Sequence, residues 1–337
     1  MSCAYENTLP PAAGLMRDIR ESLQKSLGDA YQIERELPRG GMSRVFAATE
    51  TALGRVVVLK VLSPELAATL SAERFKREIG LAARLQHPHI IPLLSTGSAA
   101  DSLYYTMPLV DGESLRERMA RERPMPIETV TQVLIEVASA LAYAHEQGVV
   151  HRDIKPENVM FFHGSAVVLD FGIGKALNAA THAAEESGGR ITQRGMSLGT
   201  PTYISPEQAV GDPDLDYRAD IYSLGVMAYE MLSGHPPFAG RSAQMVMAAH
   251  ANQQPEPIGK KRSDAPAPLA QIVMKCLAKV PSARPQNAGE IVSALKDPRN
   301  SGATAARGSF FQRLPAWLPW AIAGVATATS IYLATRR

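Results

Sequence analysis

Cysteine is almost missing from this chain: among 337 residues only Cys3 and Cys276 occur, far apart, with no CxxC pair and no Cys/His cluster. That excludes a disulfide framework and a zinc site, and both thiols read as free in a reducing compartment, Cys276 in the core. Net charge is scarce as well, at +2. No acidic residue follows Asp297, while Arg299, Arg307, Arg313, Arg336 and Arg337 do, so removing the tail's five positive charges leaves the rest of the chain at −3. Such a balance gives no reason to expect nucleic-acid binding. No basic stretch followed by an apolar run opens the chain, so no signal peptide is expected. What is present, 45% hydrophobic and 20% charged residues, is ordinary globular composition and excludes a disordered or fibrous protein.

Residues 1–14 are rich in Pro and Ala, and Leu15, Ile19, Leu23 and Leu27 then recur every four residues with charges between them. The spacing predicts a short amphipathic helix that packs on its neighbour. From Tyr31 to about Leu109, VVVLKVL (56–62) and LYYTMPLV (103–110) read as strands and AERFKREIGLAARL (72–85) as one helix. From Ser114 to about Leu295 the pattern turns helical, most clearly in ETVTQVLIEVASALAYAHEQ (128–147) and ADIYSLGVMAYEMLSG (219–234). The second is apolar nearly all round and is expected to be buried. Two lobes follow, with a connector near 108–113 and a Ser/Gly/Ala/Arg-rich linker over 298–313.

One long hydrophobic run stands out: LPAWLPWAIAGVATATSIYLAT, 314–335, has no charge over 22 residues, about the length that crosses a bilayer as a helix. Arg313 and the Arg336–Arg337 pair flank it, and Trp317, Trp320 and Tyr332 lie near its ends, where amphipathic rings favour headgroups. A single-span anchor is expected in preference to an apolar packing helix. Gly324 and Ala328 form a small-xxx-small pair, a spacing that alanine-rich sequence also produces by chance.

The chemistry concentrates in HRDIKPENVMFFHGSAVVLDFG, residues 151–172. Moving a phosphoryl group is mostly positioning and charge neutralisation, which takes carboxylate and amide oxygens for Mg²⁺ and a carboxylate near the attacking hydroxyl. Asp153, Asn158 and Asp170 supply them. His145, His151 and His163 lie close in sequence, but their spacing matches no zinc site and a structural role is expected.

Four strings fall in the order of the protein-kinase signature set. From about Tyr31 to Leu295 the chain resembles the eukaryotic-like serine/threonine protein kinases of bacteria. The resemblance implies an α+β, two-lobed protein-kinase fold: a small β-rich N-lobe with one key helix (31–107), a hinge (108–112) and a larger, mainly helical C-lobe (113–297). An extension (1–30) precedes it, and the linker and transmembrane helix follow. LPRGGMSRVFAA at 37–48 resembles the glycine-rich loop, whose backbone N–H groups approach phosphates; Gly40 is retained with Gly41 beside it, while Pro38 and Ser43 replace the outer glycines. VVLK at 57–60 resembles the strand whose lysine reaches the α- and β-phosphates, so Lys60 takes that role and Glu78 is its implied ion-pair partner. The implied nucleotide pocket comprises Leu37, Gly40, Gly41, Met42, Ser43, Val45, Val58, Lys60, Met107, Pro108 and Val110. Met107 is its gatekeeper, and adenine meets carbonyl 108 and amide 110.

By the same resemblance Asp153 orients the substrate hydroxyl, Lys155 neutralises the moving phosphoryl group, and Asn158 and Asp170 bind Mg²⁺, for which Mn²⁺ is an alternative. SPE at 205–207 replaces APE, with Glu207 paired to Arg284, and Asp220 holds the backbone of the 151–158 loop. The implied activity is transfer of the γ-phosphoryl of ATP to Ser/Thr hydroxyls of protein substrates, lysine at 155 being the serine/threonine form. Arg152 is of the kind that a phosphorylated activation loop neutralises. Thr192, in RITQR, is the expected phosphosite, and Thr200 is expected to hydrogen-bond Asp153 and Lys155. Autophosphorylation in trans makes a second copy an expected partner. Glu113, Glu157 and Glu230 fall where related kinases receive basic substrate residues. A kinase domain that needs ATP lies on the cytoplasmic side, so a single-pass inner-membrane protein with no extracellular sensor domain is expected. Two alternatives stay open. Pro38, Ser43 and Val58, which replaces an alanine beside the adenine, suit a pseudokinase scaffold that binds nucleotide or partners without catalysis. The metal ligands also suit a small-molecule phosphotransferase, against which the GTPTYISPE run at 199–207 speaks.

Overall fold

The apolar run in VVVLKVL is continuous rather than alternating, which is what a strand covered on both faces requires. In the computed structural model, which describes residues 12–38, 43–63, 67, 72–100, 102–171 and 201–297, that run is the centre of a five-stranded antiparallel sheet. Strands β1 (Tyr31–Glu36), β2 (Ser43–Glu50), β3 (Arg55–Leu62), β4 (Ser95–Ala99) and β5 (Ser102–Pro108) are ordered β1-β2-β3-β5-β4. Helix α1 (Ala12–Leu27) covers one face, with Leu23 and Leu27 in a cluster with Tyr31, Ile33, Phe46, Val57, Leu59 and Val61. Polar contacts fix its register: Arg20 donates to the carbonyls of Ile33 (2.9 Å) and Glu34 (2.7 Å), and Gln24 accepts the Ile33 N–H at 2.8 Å.

On the other face helix α2 (Ala72–Ala82) brings Phe75 and Ile79 into one core with Val45, Val58, Leu62, Tyr105 and Met107. The helix expected over 72–85 stops at Ala82, and Leu85 is buried just beyond its end. Strand β4, STGSA, has little intrinsic strand preference and is made by pairing with β5 along its whole length.

The second lobe contains α3 (Leu115–Arg121), α4 (Ile127–Glu146), α5 (Pro206–Ala209), α6 (Arg218–Ser233), α7 (Ala243–Asn252), α8 (Ile258–Lys261), α9 (Ala267–Cys276) and α10 (Ala288–Lys296). A hairpin of β6 (Val159–Phe162) and β7 (Ser165–Val168) joins them. The expectation of a buried α6 holds, since every residue from Ala219 to Leu232 is buried. Its Gly225 has a packing reason: a Cβ there would lie 2.6 Å from that of Cys276 on α9. Cys276 is buried, and burial pushes its thiol up to about 12, an inert core residue. Among the described residues α4 is the one helix long and apolar enough to cross a membrane, and here Val130, Val133, Val137 and Leu141 on it are core residues. The run at 314–335 lies outside the described residues.

Backbone contacts among the described residues help tie the lobes together. Gly112 lies so close to β6 that a Cβ would fall 2.0 Å from the Phe161 carbonyl oxygen, and the Phe161 N–H donates to the Glu113 carbonyl at 2.9 Å. The segment between α2 and β4 pairs with β7, the Ile91 N–H donating to the Val168 carbonyl (3.0 Å) and the Val168 N–H to that of His89 (2.9 Å). These contacts set the sheet against the 151–170 region.

Candidate active site

Asp220, in the first turn of α6 and 1% exposed, fixes the loop that carries Asp153. Its Oδ1 accepts the Arg152 N–H at 2.7 Å and its Oδ2 the His151 N–H at 2.8 Å, with His145 Nε2 also 2.8 Å from Oδ2. Burial pushes this carboxyl up, but the hydrogen bond and charge of His145, with the backbone amide of His151, hold it below the ordinary carboxylate range. His151 closes the loop from the other side. Its Nδ1 accepts the Asp153 N–H at 3.2 Å, so Nε2 carries the proton that it gives to the Leu169 carbonyl at 2.8 Å. Arg152 adopts φ 67°, which costs a non-glycine residue of order 1–3 kcal/mol. Asp220 at its N–H and Gln208, which donates to its carbonyl at 2.9 Å, hold it there.

On this platform the Asp153 side chain is 51% exposed, with Lys155 Nζ 2.7 Å from its Oδ2. Asn158, at the end of the 3₁₀ turn Pro156–Asn158, donates from Nδ2 to the Asp153 carbonyl (2.8 Å) and Oδ2 (3.1 Å). The Leu169 N–H donates to the Asn158 backbone carbonyl at 2.9 Å, which draws Asp170 beside Asn158. An exposed carboxylate gripped by an ammonium and an amide can orient a hydroxyl and take up its proton.

Asp170 is 6% exposed and has φ 64°. Lys60 Nζ lies 2.6 Å from its Oδ2, and the Tyr105 hydroxyl donates to its Oδ1 at 2.8 Å. The strand register explains the meeting: Val45, Lys60 and Tyr105 are direct cross-strand partners on β2, β3 and β5, and Ala47, Val58 and Met107 form the next row. Val45, Val58 and Met107 share one core with Leu37 packed against it, Pro108 and Val110 follow in the chain, and Ser43 opens β2 opposite Leu62. Gly40, Gly41 and Met42 lie outside the described residues. Glu78 is half-buried on α2, and Lys60 here makes an ion pair with Asp170, a carboxylate buried deeply enough to be costly unless a charge or donor meets it.

Asp170 and Asn158 are both buried and offer the hard oxygen donors that Mg²⁺ prefers. The Asn158 amide is anchored by its nitrogen, which leaves the oxygen as the ligating end. Among the described residues no group of three His, Cys, Asp or Glu forms a metal site. Mg²⁺ is commonly held by one or two protein groups plus phosphates, so the donor set fits.

A family model described as "Protein kinase domain" matches residues 31–297. The chain belongs to the protein kinase family. Serine/threonine-protein kinase PknB of Mycobacterium tuberculosis is 40% identical over 271 residues, 79% of this chain and 42% of that protein. Probable serine/threonine-protein kinase SCO3848 of Streptomyces coelicolor is 39% identical over 294 residues, 85% of this chain and 42% of the relative. Serine/threonine-protein kinase pkn3 of Myxococcus xanthus is 38% identical over 281 residues, 80% and 50%. The chain thus matches about half or less of the length of these relatives.

Elsewhere in the kinase domain, Glu207 and Arg284 form the expected pair, bidentate at 2.6 and 2.8 Å. The remaining Arg284 donors reach the carbonyls of Ala278, Arg218 and Lys279, so a fully buried guanidinium has all its N–H groups used. The three glutamates of the basic-substrate expectation carry the chain's own arginines. Arg116 meets Glu157 and Glu230 at 2.8 Å each and also Tyr203, and Arg121 meets Glu113. Thr192 and Thr200 lie outside the described residues. Tyr105 escaped the sequence reading. A signal for it exists: it lies two positions before Met107, on the same face of a strand.

Proposed function

We propose that this chain is an ATP- and Mg²⁺-dependent protein serine/threonine kinase, moving the γ-phosphoryl group of ATP to Ser/Thr hydroxyls of proteins. The observation that supports it best is the half-exposed Asp153 carboxylate gripped by Lys155 and Asn158, with Asp170 drawn beside them. In this reading Asp153 orients the incoming hydroxyl and takes its proton, and Lys155 offsets charge on the group in transit. Asn158 and Asp170 hold Mg²⁺, which supplies neutralisation of phosphate charge when bound. Lys60 then turns from Asp170 to the α- and β-phosphates, with Glu78 as its counter-charge, while Leu37, Val45, Val58, Met107 and the 108–110 backbone enclose the base. Transfer of label from ATP by the full chain is the test. Asp153→Asn is expected to lower kcat by roughly 10²–10⁴-fold, and Lys60→Met to abolish productive nucleotide binding. Wild-type protein that binds nucleotide but transfers nothing leaves the scaffold reading instead.

The same proposal extends to the segments outside the described residues. Residues 314–335 anchor the chain in the inner membrane with the kinase domain in the cytoplasm, a reading supported by their uncharged length and flanking arginines. A second copy phosphorylates Thr192 in trans, and Arg152, whose buried Nε has no hydrogen-bond partner among the described residues, is the cation that the phosphate satisfies. Mapping the modified residues tests Thr192. An alkaline carbonate wash that releases all the protein would remove the anchor.

A further inference from the structure

Asp170 combines three features that rarely coexist. It is buried, it is a non-glycine residue at positive φ, and its two oxygens meet donors from a different part of the chain. Such a conformation persists only where the surroundings over-determine it. Phe171 supplies part of the restraint, meeting the His151 ring edge-on at 4.7 Å. The carboxylate's own orientation comes from the sheet. Lys60 holds one oxygen, and the fully buried Tyr105 hydroxyl holds the other at 2.8 Å, with the tyrosine ring 5.8 Å from the Lys60 ammonium.

The two donors differ in kind. Lys60 is a charge on a flexible stem and competes directly with any cation that approaches the carboxylate. The phenol is neutral and its ring is fully buried in the core that also holds Met107 and Phe75. A carboxylate oxygen has two lone-pair sites, so it can keep the phenol's hydrogen bond while Asp170 engages a cation.

We propose that Tyr105 is a positioning residue for the metal-binding carboxylate of Asp170: it fixes the rotation of that carboxylate from the β-sheet, so that the oxygen shared with Lys60 is the one exchanged for a divalent cation. The inference rests on the kinase reading above. It predicts that Tyr105 acts on metal–nucleotide coupling and not on nucleotide binding itself.

The experiment is calorimetric titration of ADP into the full chain, wild type beside Tyr105→Phe and Asp170→Asn, once with EDTA and once with excess Mg²⁺. The ratio of the two ADP affinities measures the coupling between metal and nucleotide. Asp170→Asn is expected to remove the Mg²⁺ enhancement. Tyr105→Phe, which keeps the ring and loses one charge-assisted hydrogen bond, should cut it by roughly tenfold while leaving the EDTA affinity at the wild-type value. An unchanged or larger enhancement in Tyr105→Phe overturns the positioning role. A fall in the EDTA affinity of Tyr105→Phe overturns it too, by showing a general packing role. Wild-type ADP affinity that ignores Mg²⁺, or an Asp170→Asn chain that keeps the enhancement, sinks the metal assignment and this proposal with it.

Discussion

Asp220 and Asp170 are both buried carboxylates of the same lobe, and they are held in opposite ways. Asp220 accepts two backbone N–H groups from the loop it supports and an imidazole from α4. Asp170 is held by two side chains that reach it from β3 and β5, across the interface between lobes. Backbone amides cannot leave without unfolding the loop, so the first arrangement is permanent. A lysine amine on a flexible stem can leave at the cost of one ion pair, so the second is exchangeable. The difference separates scaffold from working group more sharply than burial does.

Removing each carboxylate tests the contrast most severely. Asp220→Ala leaves two buried amides and His145 without their acceptor, and is expected to cost about 4 kcal/mol, read as a lowered urea midpoint. If that chain keeps wild-type stability, the loop is held by something other than Asp220.

A buried base in the same lobe sharpens the comparison next. His250 on α7 lies 3.0 Å from the Tyr222 hydroxyl and beside Phe238, and burial, then the Lys279 ammonium, lower it to about 4. Because its folded value lies below the ordinary 6.5, the unfolded chain takes up the proton first as pH falls. Stability from this group is therefore complete above 6.5 and lost between there and about 4, at most about 3 kcal/mol. The difference in urea stability between wild type and His250→Gln should show that slope, and a pH-independent difference would refute it.

The smallest expected change belongs to Asp170. Asp170→Asn keeps an acceptor for Tyr105 and removes the charge that faces Lys60, whose flexible stem lets the ammonium reach solvent, so stability should move by about 1 kcal/mol. Phosphoryl transfer, measured with labelled ATP, should disappear. A loss of stability as large as that of Asp220→Ala would erase the distinction between the two sites.

Much of this is legible in the sequence. The buried α6 followed from a run apolar all round, α1 from its four-residue period, and the Glu207–Arg284 and Asp220 contacts from motif resemblance. Strand β4 was not legible, because Ser, Thr and Gly form it only through pairing with β5. Nor were the arginines on Glu113, Glu157 and Glu230, since a glutamate's sequence neighbours do not say which distant guanidinium reaches it.

By itself, then, the sequence determined the order of elements, the two-lobed plan and the identity of the chemical groups, because periodicity and short motifs are local properties of the chain. Only the tertiary structure decided which buried charge each group faces. Lys60 and Tyr105 stand 110 and 65 residues from Asp170, and the bonds that join them demand placement within a few tenths of an ångström. That precision is set by strand register and by the packing of one lobe on the other, and is written in no short stretch of residues.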